Sequence, residues 1–216
     1  MSTEPNMPIF CPVADSNDVT DLTKKDIEFP DDTPVWFFRV NIDVDQRGDV
    51  SFHYDNAASA AISSQPELDE LIKKVADFKA PNWADVLSTT VGDTPFSINC
   101  TKKCVIVLVL HPGRNWQFAH DKAPFQIKKG REEYYFNATR VDRKGTPLVG
   151  SGQSYGCKVA YFYGECDLDR TNQGGGNFKT AFNIHLDLLL YWRGKELTLP
   201  IVVDPDVGHP GGGTPP

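Results

Sequence analysis

Val35-Trp36-Phe37-Phe38-Arg39-Val40-Asn41-Ile42-Asp43 places Trp36, Phe38, Val40 and Ile42 on one face and Arg39, Asn41 and Asp43 on the other. Successive side chains of a pleated backbone point to opposite faces, so this alternation predicts a half-buried β-strand. The polar run Asp45-Gln46-Arg47-Gly48-Asp49 supplies a turn, after which Val50, Phe52 and Tyr54 alternate again. The two halves read as a hairpin.

Working outward, further strands are predicted over 104–111, 133–142, 157–164, 180–192 and 196–203, with the turn Arg193-Gly194-Lys195 between the last two. The stretch 104–111 is continuously apolar and rich in Val and Ile, which suits a strand covered on both faces. One helix interrupts the series near 64–79. Ser64 stands three residues before Glu67, Pro66 falls in the first turn, and Leu68, Leu71, Ile72, Val75 and Phe78 recur at helical spacing. Strands joined by Gly, Pro, Asn and Asp, without a helix after each, predict a mainly β fold: an antiparallel two-sheet sandwich, Ig-like or jelly-roll-like, with one inserted helix.

The 216 residues suit a single domain with two attached ends. Residues 1–34 hold eight acids against Lys24 and Lys25, and are broken by prolines. They read as an acidic flexible arm, since so polar a segment buries too little to offset its ordering entropy. The sandwich is expected over 35–206, and 207–216, rich in Gly and Pro, reads as a flexible tail.

Outside the arm, the other 182 residues carry 21 acids and 20 bases. No basic stripe stands out, which argues against nucleic acid as a partner, because phosphate neutralisation supplies most of that affinity. No apolar run reaches the roughly 18 residues of a membrane helix. Met1-Ser2-Thr3-Glu4-Pro5 lacks the basic and apolar regions of an export signal, so a soluble protein with a cytoplasmic address is expected. The five cysteines, Cys11, Cys100, Cys104, Cys157 and Cys166, then read as small buried apolar residues rather than a disulfide framework.

Gly152-Gln153-Ser154-Tyr155-Gly156 spells the nucleophile elbow of serine hydrolases, and Asp187 or Asp204 with His185 or His209 would complete a triad in chain order. An elbow requires a helix next, whereas Cys157 onward reads as a strand, so a glycine-rich connection is the plainer account. Cys100, Cys104, Cys157 and Cys166 are enough thiols for zinc, but their spacing does not form paired knuckles. Asp43, Asp45 and Gly48, like Asp167 and Asp169, resemble the opening of a calcium loop without its closing glutamate. The histidines are scattered: His53, His111, His120, His185 and His209. No cofactor and no metal is expected.

Trp83, Trp116 and Tyr155 lie near polar or glycine-rich segments, where aromatic faces stack on a sugar or a base. The leading expectation is a non-enzymatic sandwich that binds a protein partner or self-associates. Carbohydrate or small-ligand binding through those three aromatics is the alternative, and a hydrolase built on Ser154 the third reading.

Overall fold

The computed structural model describes residues 19–44, 50–76, 103–111, 115–128, 134–149, 156–165, 178–203 and 206–209. In chain order the elements are β1 (Val19–Asp21), β2 (Thr33–Val44), β3 (Val50–Ile62), α1 (Gln65–Ala76), β4 (Cys104–Leu110), β5 (Trp116–Phe118) and β6 (Phe125–Lys128). After these come β7 (Tyr135–Val141), β8 (Pro147–Val149), β9 (Val159–Gly164), β10 (Phe178–Trp192), β11 (Lys195–Val203) and β12 (Asp206–His209). Two six-stranded sheets result: β1-β6-β10-β11, with β5 and β12 also on β10, and β3-β2-β4-β9-β7-β8. The protein is a mainly β two-sheet sandwich with a single helix among the described residues.

The period-two pattern of β2 divides its side chains between two cores. Phe38, Val40 and Ile42 join Ile106, Leu108, Ala160, Phe162, Phe182, Ile184 and Leu186 between the sheets. Val35 and Phe37 face the other way and are also buried, against Leu68, Ile72 and Val75 of α1. The first half of β2 is therefore covered on both faces, not half-buried, because the helix lies over it. β4 shows the same division: Ile106 and Leu108 face the opposite sheet, and Val105, Val107 and Val109 face the helix side. Burying each such side chain contributes about 1.5–3 kcal/mol.

The helix starts as its sequence dictates. Glu67 accepts from the Ser63 amide (2.9 Å) and from the Ser64 hydroxyl (3.1 Å), so one carboxylate ties down the entry. It is described to Ala76, and 77–79 lie outside the described residues.

Strand pairing departs from the expectation in one place: β2 and β4 are parallel, Val35 opposite Val105 through Val40 opposite Leu110, while the other paired strands are antiparallel. The hairpin between β10 and β11 turns at Arg193 (φ 49°) and Gly194 (φ 76°), the two left-handed residues that a tight two-residue turn requires.

Both ends are more ordered than composition suggests. From residue 19 onward the acidic segment is part of the fold: β1 pairs with β6, and Leu22 is buried in the core. Val207, Gly208 and His209, placed in the tail by their composition, pair with β10 opposite Thr180, Lys179 and Phe178. Backbone pairing and one apolar anchor outweigh the low hydrophobicity that marked these segments as loose. Residues 1–18 and 210–216 lie outside the described residues. No described helix is long and apolar enough to cross a membrane.

Candidate functional site

β10 organises the polar chemistry of the first sheet. Phe182, Ile184, Leu186 and Leu188 enter the core between the sheets, so Asn183, His185 and Asp187 point away from it. β5 and β6 run along β10 in one line, Phe118 opposite Leu186 and Phe125 opposite Ile184. Residues 119–124 leave that line opposite His185, where the Ala119 amide bonds to the His185 carbonyl (2.9 Å) and the His185 amide to the Pro124 carbonyl (3.0 Å). The excursion leaves His185 and Asp187 only 3% and 1% exposed.

Under it, Oδ2 of Asp187 accepts three hydrogen bonds: from Gln117 Nε2 (3.1 Å), from the His120 amide (2.9 Å) and from His120 Nδ1 (2.8 Å). Oε1 of Gln117 accepts in turn from the Gly156 amide (2.7 Å). A continuous chain of donors and acceptors thus runs from Gly156 through Gln117 and Asp187 to a partly exposed His120. A carboxylate on Nδ1 holds the imidazole in the tautomer whose Nε2 is basic. That is the arrangement of an oriented general base.

Cations surround this chain. Arg140, fully buried on β7, donates through Nη1 to the Ala119 carbonyl and so joins the second sheet to the start of the excursion. Burial pulls its pKa down, while Cys157, Asp187 and Asp121 hold it up. Lys158 donates to the Trp116 carbonyl, and burial together with the neighbouring Arg143 pulls its pKa down to about 8. His185 stands apart, paired through Nε2 with Gln126 Oε1 (2.8 Å).

A separate cleft of about 540 Å3 opens on the helix side of the second sheet, lined among others by Lys24, Lys25, Gln65, Asp69, Tyr161 and Tyr163. Much of its lining is already committed. Gln65 accepts from the Tyr163 hydroxyl (2.9 Å) and donates to Asp69 (2.7 Å). Asn137 grips the Lys25 backbone at both ends, accepting from its amide (2.8 Å) and donating to its carbonyl (2.6 Å). The Lys25 ammonium meets Glu165 and the Phe136 ring. Burial, with Tyr161 beside it, pushes the Tyr163 phenol well above its ordinary pKa. The cleft is built first as the seat of the segment around Lys25.

Of the three aromatics singled out in the sequence, Trp116 alone lies among the described residues. Trp116 is 4% exposed and packs in the core with Phe118, because β5 sends those two inward and Gln117 outward; no face is left for stacking. Trp83 and Tyr155 lie outside the described residues, as do Gly152, Gln153 and Ser154. Beyond Gly156 the chain enters strand β9, not the helix an elbow needs. Asp187 does orient a histidine, but it is His120, while His185 pairs with Gln126. Cys104 and Cys157 are buried and in no disulfide, and the described residues contain no group of three or more potential metal ligands.

Residues 50–212 match the family model pNTSase1, described as "Predicted novel nucleotide synthetase". The match spans about three quarters of the chain, which belongs to that family. No curated protein and no solved structure matches it. The family corrects the expectation of a non-enzymatic interaction module, and with it the carbohydrate-binding and serine-hydrolase alternatives, because its description is of an enzyme that makes nucleotides. Local sequence carries no signal of the site. Gln117 and His120 belong to no spaced motif, and their partner Asp187 lies 70 and 67 residues away in sequence.

Proposed function

We propose that the protein is an enzyme of nucleotide synthesis that forms a bond at a nucleotide phosphorus, with His120 as general base. The observation that carries this reading is that the residues matched by the nucleotide-synthetase family contain the whole chain Gly156, Gln117, Asp187 and His120. Lys24, Lys25 and Asp26 of the cleft fall outside the match.

In this mechanism an acceptor hydroxyl loses its proton to Nε2 of His120 as its oxygen attacks the α-phosphorus of a nucleoside triphosphate. The bond from that phosphorus to the bridging oxygen breaks, and pyrophosphate departs. Asp187 stabilises the imidazolium that forms, and Gln117 holds Asp187 in place. Arg140 fixes the Ala119 carbonyl next to His120 and so acts as a positioning residue. The thiols of Cys104 and Cys157, buried and outside any disulfide, support a cytoplasmic address.

The test is incubation of the full chain with the four nucleoside triphosphates and Mg2+, with pyrophosphate release and product mass as readouts. The wild type should yield pyrophosphate and a new nucleotide, and His120→Asn should lower the rate by a factor on the order of 100 or more. Equal rates for the two proteins would remove His120 from the chemistry.

A further inference from the structure

With the Lys25 segment seated, about 540 Å3 stays open on the helix side of the second sheet, bounded by Lys24 and Asp26 on one side and by Gln65 and Asp69 of α1 on the other. Its floor is Tyr161 and Tyr163, which alternation along β9 places on one face. They are 3% and 6% exposed, with ring centroids 5.9 Å apart at 82°.

The hydrogen-bond donors around this space are largely spent on the protein itself. The Tyr163 hydroxyl donates to Gln65 Oε1 (2.9 Å), and Gln65 Nε2 donates onward to Asp69 Oδ1 (2.7 Å). The Thr139 hydroxyl donates to the Asn137 carbonyl (2.8 Å), and Asn137 Nδ2 to the Lys25 carbonyl (2.6 Å). What remains is mostly lone pairs. Oδ2 of Asp69 accepts nothing from the described residues, and the Asp26 carboxylate is unpaired among them. The phenol oxygens and Gln65 Oε1 each keep further acceptor capacity. Burial, and the Asp69 charge with it, raises the Tyr161 pKa, so that oxygen stays a neutral hydroxyl. Of the two lysines in the lining, Lys25 is held by Glu165, and the exposed Lys24 is uncommitted among the described residues.

We propose that this cleft binds the ammonium group of a small alkylamine, seated on the Asp69 carboxylate and the tyrosine floor. An ammonium carries three donors and no acceptor, which matches a lining whose free valences are lone pairs. Its alkyl stem packs on the phenol rings, as the stems of charged side chains do on apolar surface. The protein holds its own Lys25 ammonium in the same manner, on the Glu165 carboxylate and 4.4 Å from the centre of the Phe136 ring. A phosphate would instead meet the Asp69 and Asp26 carboxylates, with Lys24 the one uncommitted cation of the described lining. Two sources share the alkylammonium chemistry: a diamine, and an amino acid whose carboxylate pairs with Lys24. The cleft lies on the second sheet and His120 is carried by the first, so the proposal does not rest on the nucleotide-synthesis reading.

Calorimetry of the full chain with the diamine putrescine, with free lysine and with the uncharged diol of putrescine's chain length tests it. At least one of the two amines should bind, with an affinity that falls as salt rises, and the diol should not. Asp69→Asn keeps the acceptor for Gln65 and removes only the charge from an exposed helix position, so the fold is retained. It should weaken amine binding at least tenfold, because a charge-assisted bond is lost. Tyr163→Phe, which releases Gln65 from its orientation, should weaken binding in the same direction, whereas His120→Asn should bind as the wild type does. Tighter binding of putrescine, unaffected by Lys24→Gln, identifies a diamine; tighter binding of lysine, weakened by Lys24→Gln, identifies an amino acid. Failure of both amines to bind at millimolar concentration, binding of the diol as tight as that of the amines, or unchanged affinity in Asp69→Asn would overturn the proposal. Loss of binding in His120→Asn would place the amine on the first sheet and overturn it equally.

Discussion

Asp187→Asn replaces a carboxylate by an amide of the same shape at a position only 1% exposed. Three donors converge on Oδ2 of Asp187, from Gln117 and twice from His120. With the amide oxygen in that place, each bond falls from the charged class, about 1.5–3 kcal/mol, to the neutral class, about 0.5–1.5 kcal/mol. Three such losses, at about 1 kcal/mol each, come to about 3 kcal/mol. The fully buried Arg140 also loses a charge that supports its ionised form, which acts in the same direction. For a chain of this size, about 3 kcal/mol lowers Tm by roughly 6–12 °C. The imidazole loses its orienting charge, so nucleotide-forming activity should fall by a factor on the order of 10^3–10^4, as at other histidines held by an aspartate. Thermal unfolding tracked by circular dichroism gives the first number, and product formation well below the lowered Tm gives the second. A Tm within about 1 °C of wild type, or less than a tenfold loss of rate, would refute the reasoning.

Lys158 gives a pH signature. Its folded pKa of about 8 lies below the ordinary 10.5, so between those values the unfolded chain binds the proton and the folded chain does not. Stability contributed by this group therefore rises with pH across that window, and the burial penalty on its charge is fully present below it. Urea unfolding of the wild type at pH 7 and pH 10 should show this gain relative to Lys158→Met; parallel pH profiles would contradict it. Asn137→Ala removes both hydrogen bonds to the Lys25 backbone from a residue held at φ 57°. It should cost about 2 kcal/mol and speed amide exchange over residues 22–29 while leaving β10 protected. Unchanged exchange around Lys25 would mean that Asn137 does not hold the segment.

The sandwich was legible because its strands carry their own signal. The alternation in 35–43, the apolar run at 104–111 and the Arg193-Gly194 turn each report local geometry, and the helix announces itself through Ser64 and Glu67. The short strands β1, β5, β6, β8 and β12 were not legible, since three or four residues are too few to show a period. Their existence depends on partners far along the chain. The parallel pairing of β2 with β4 is likewise a tertiary result, reached after a hairpin and a helix. The candidate site was legible least of all. Trp116 and Gln117 are adjacent, yet one enters the core and the other faces Asp187, and only the pairing of β5 with β10 decides which. His120 acquires its role from an excursion whose purpose is visible only once Asp187 lies beneath it.

The most direct test of nucleotide synthesis at His120 and Asp187 is to monitor nucleoside triphosphates and Mg2+ by mass spectrometry in the presence of the full chain. Triphosphate should be consumed, pyrophosphate and a heavier nucleotide should accumulate together, and Asp187→Asn should suppress both. Triphosphate left unchanged by the wild type, or consumed equally by that variant, would contradict it.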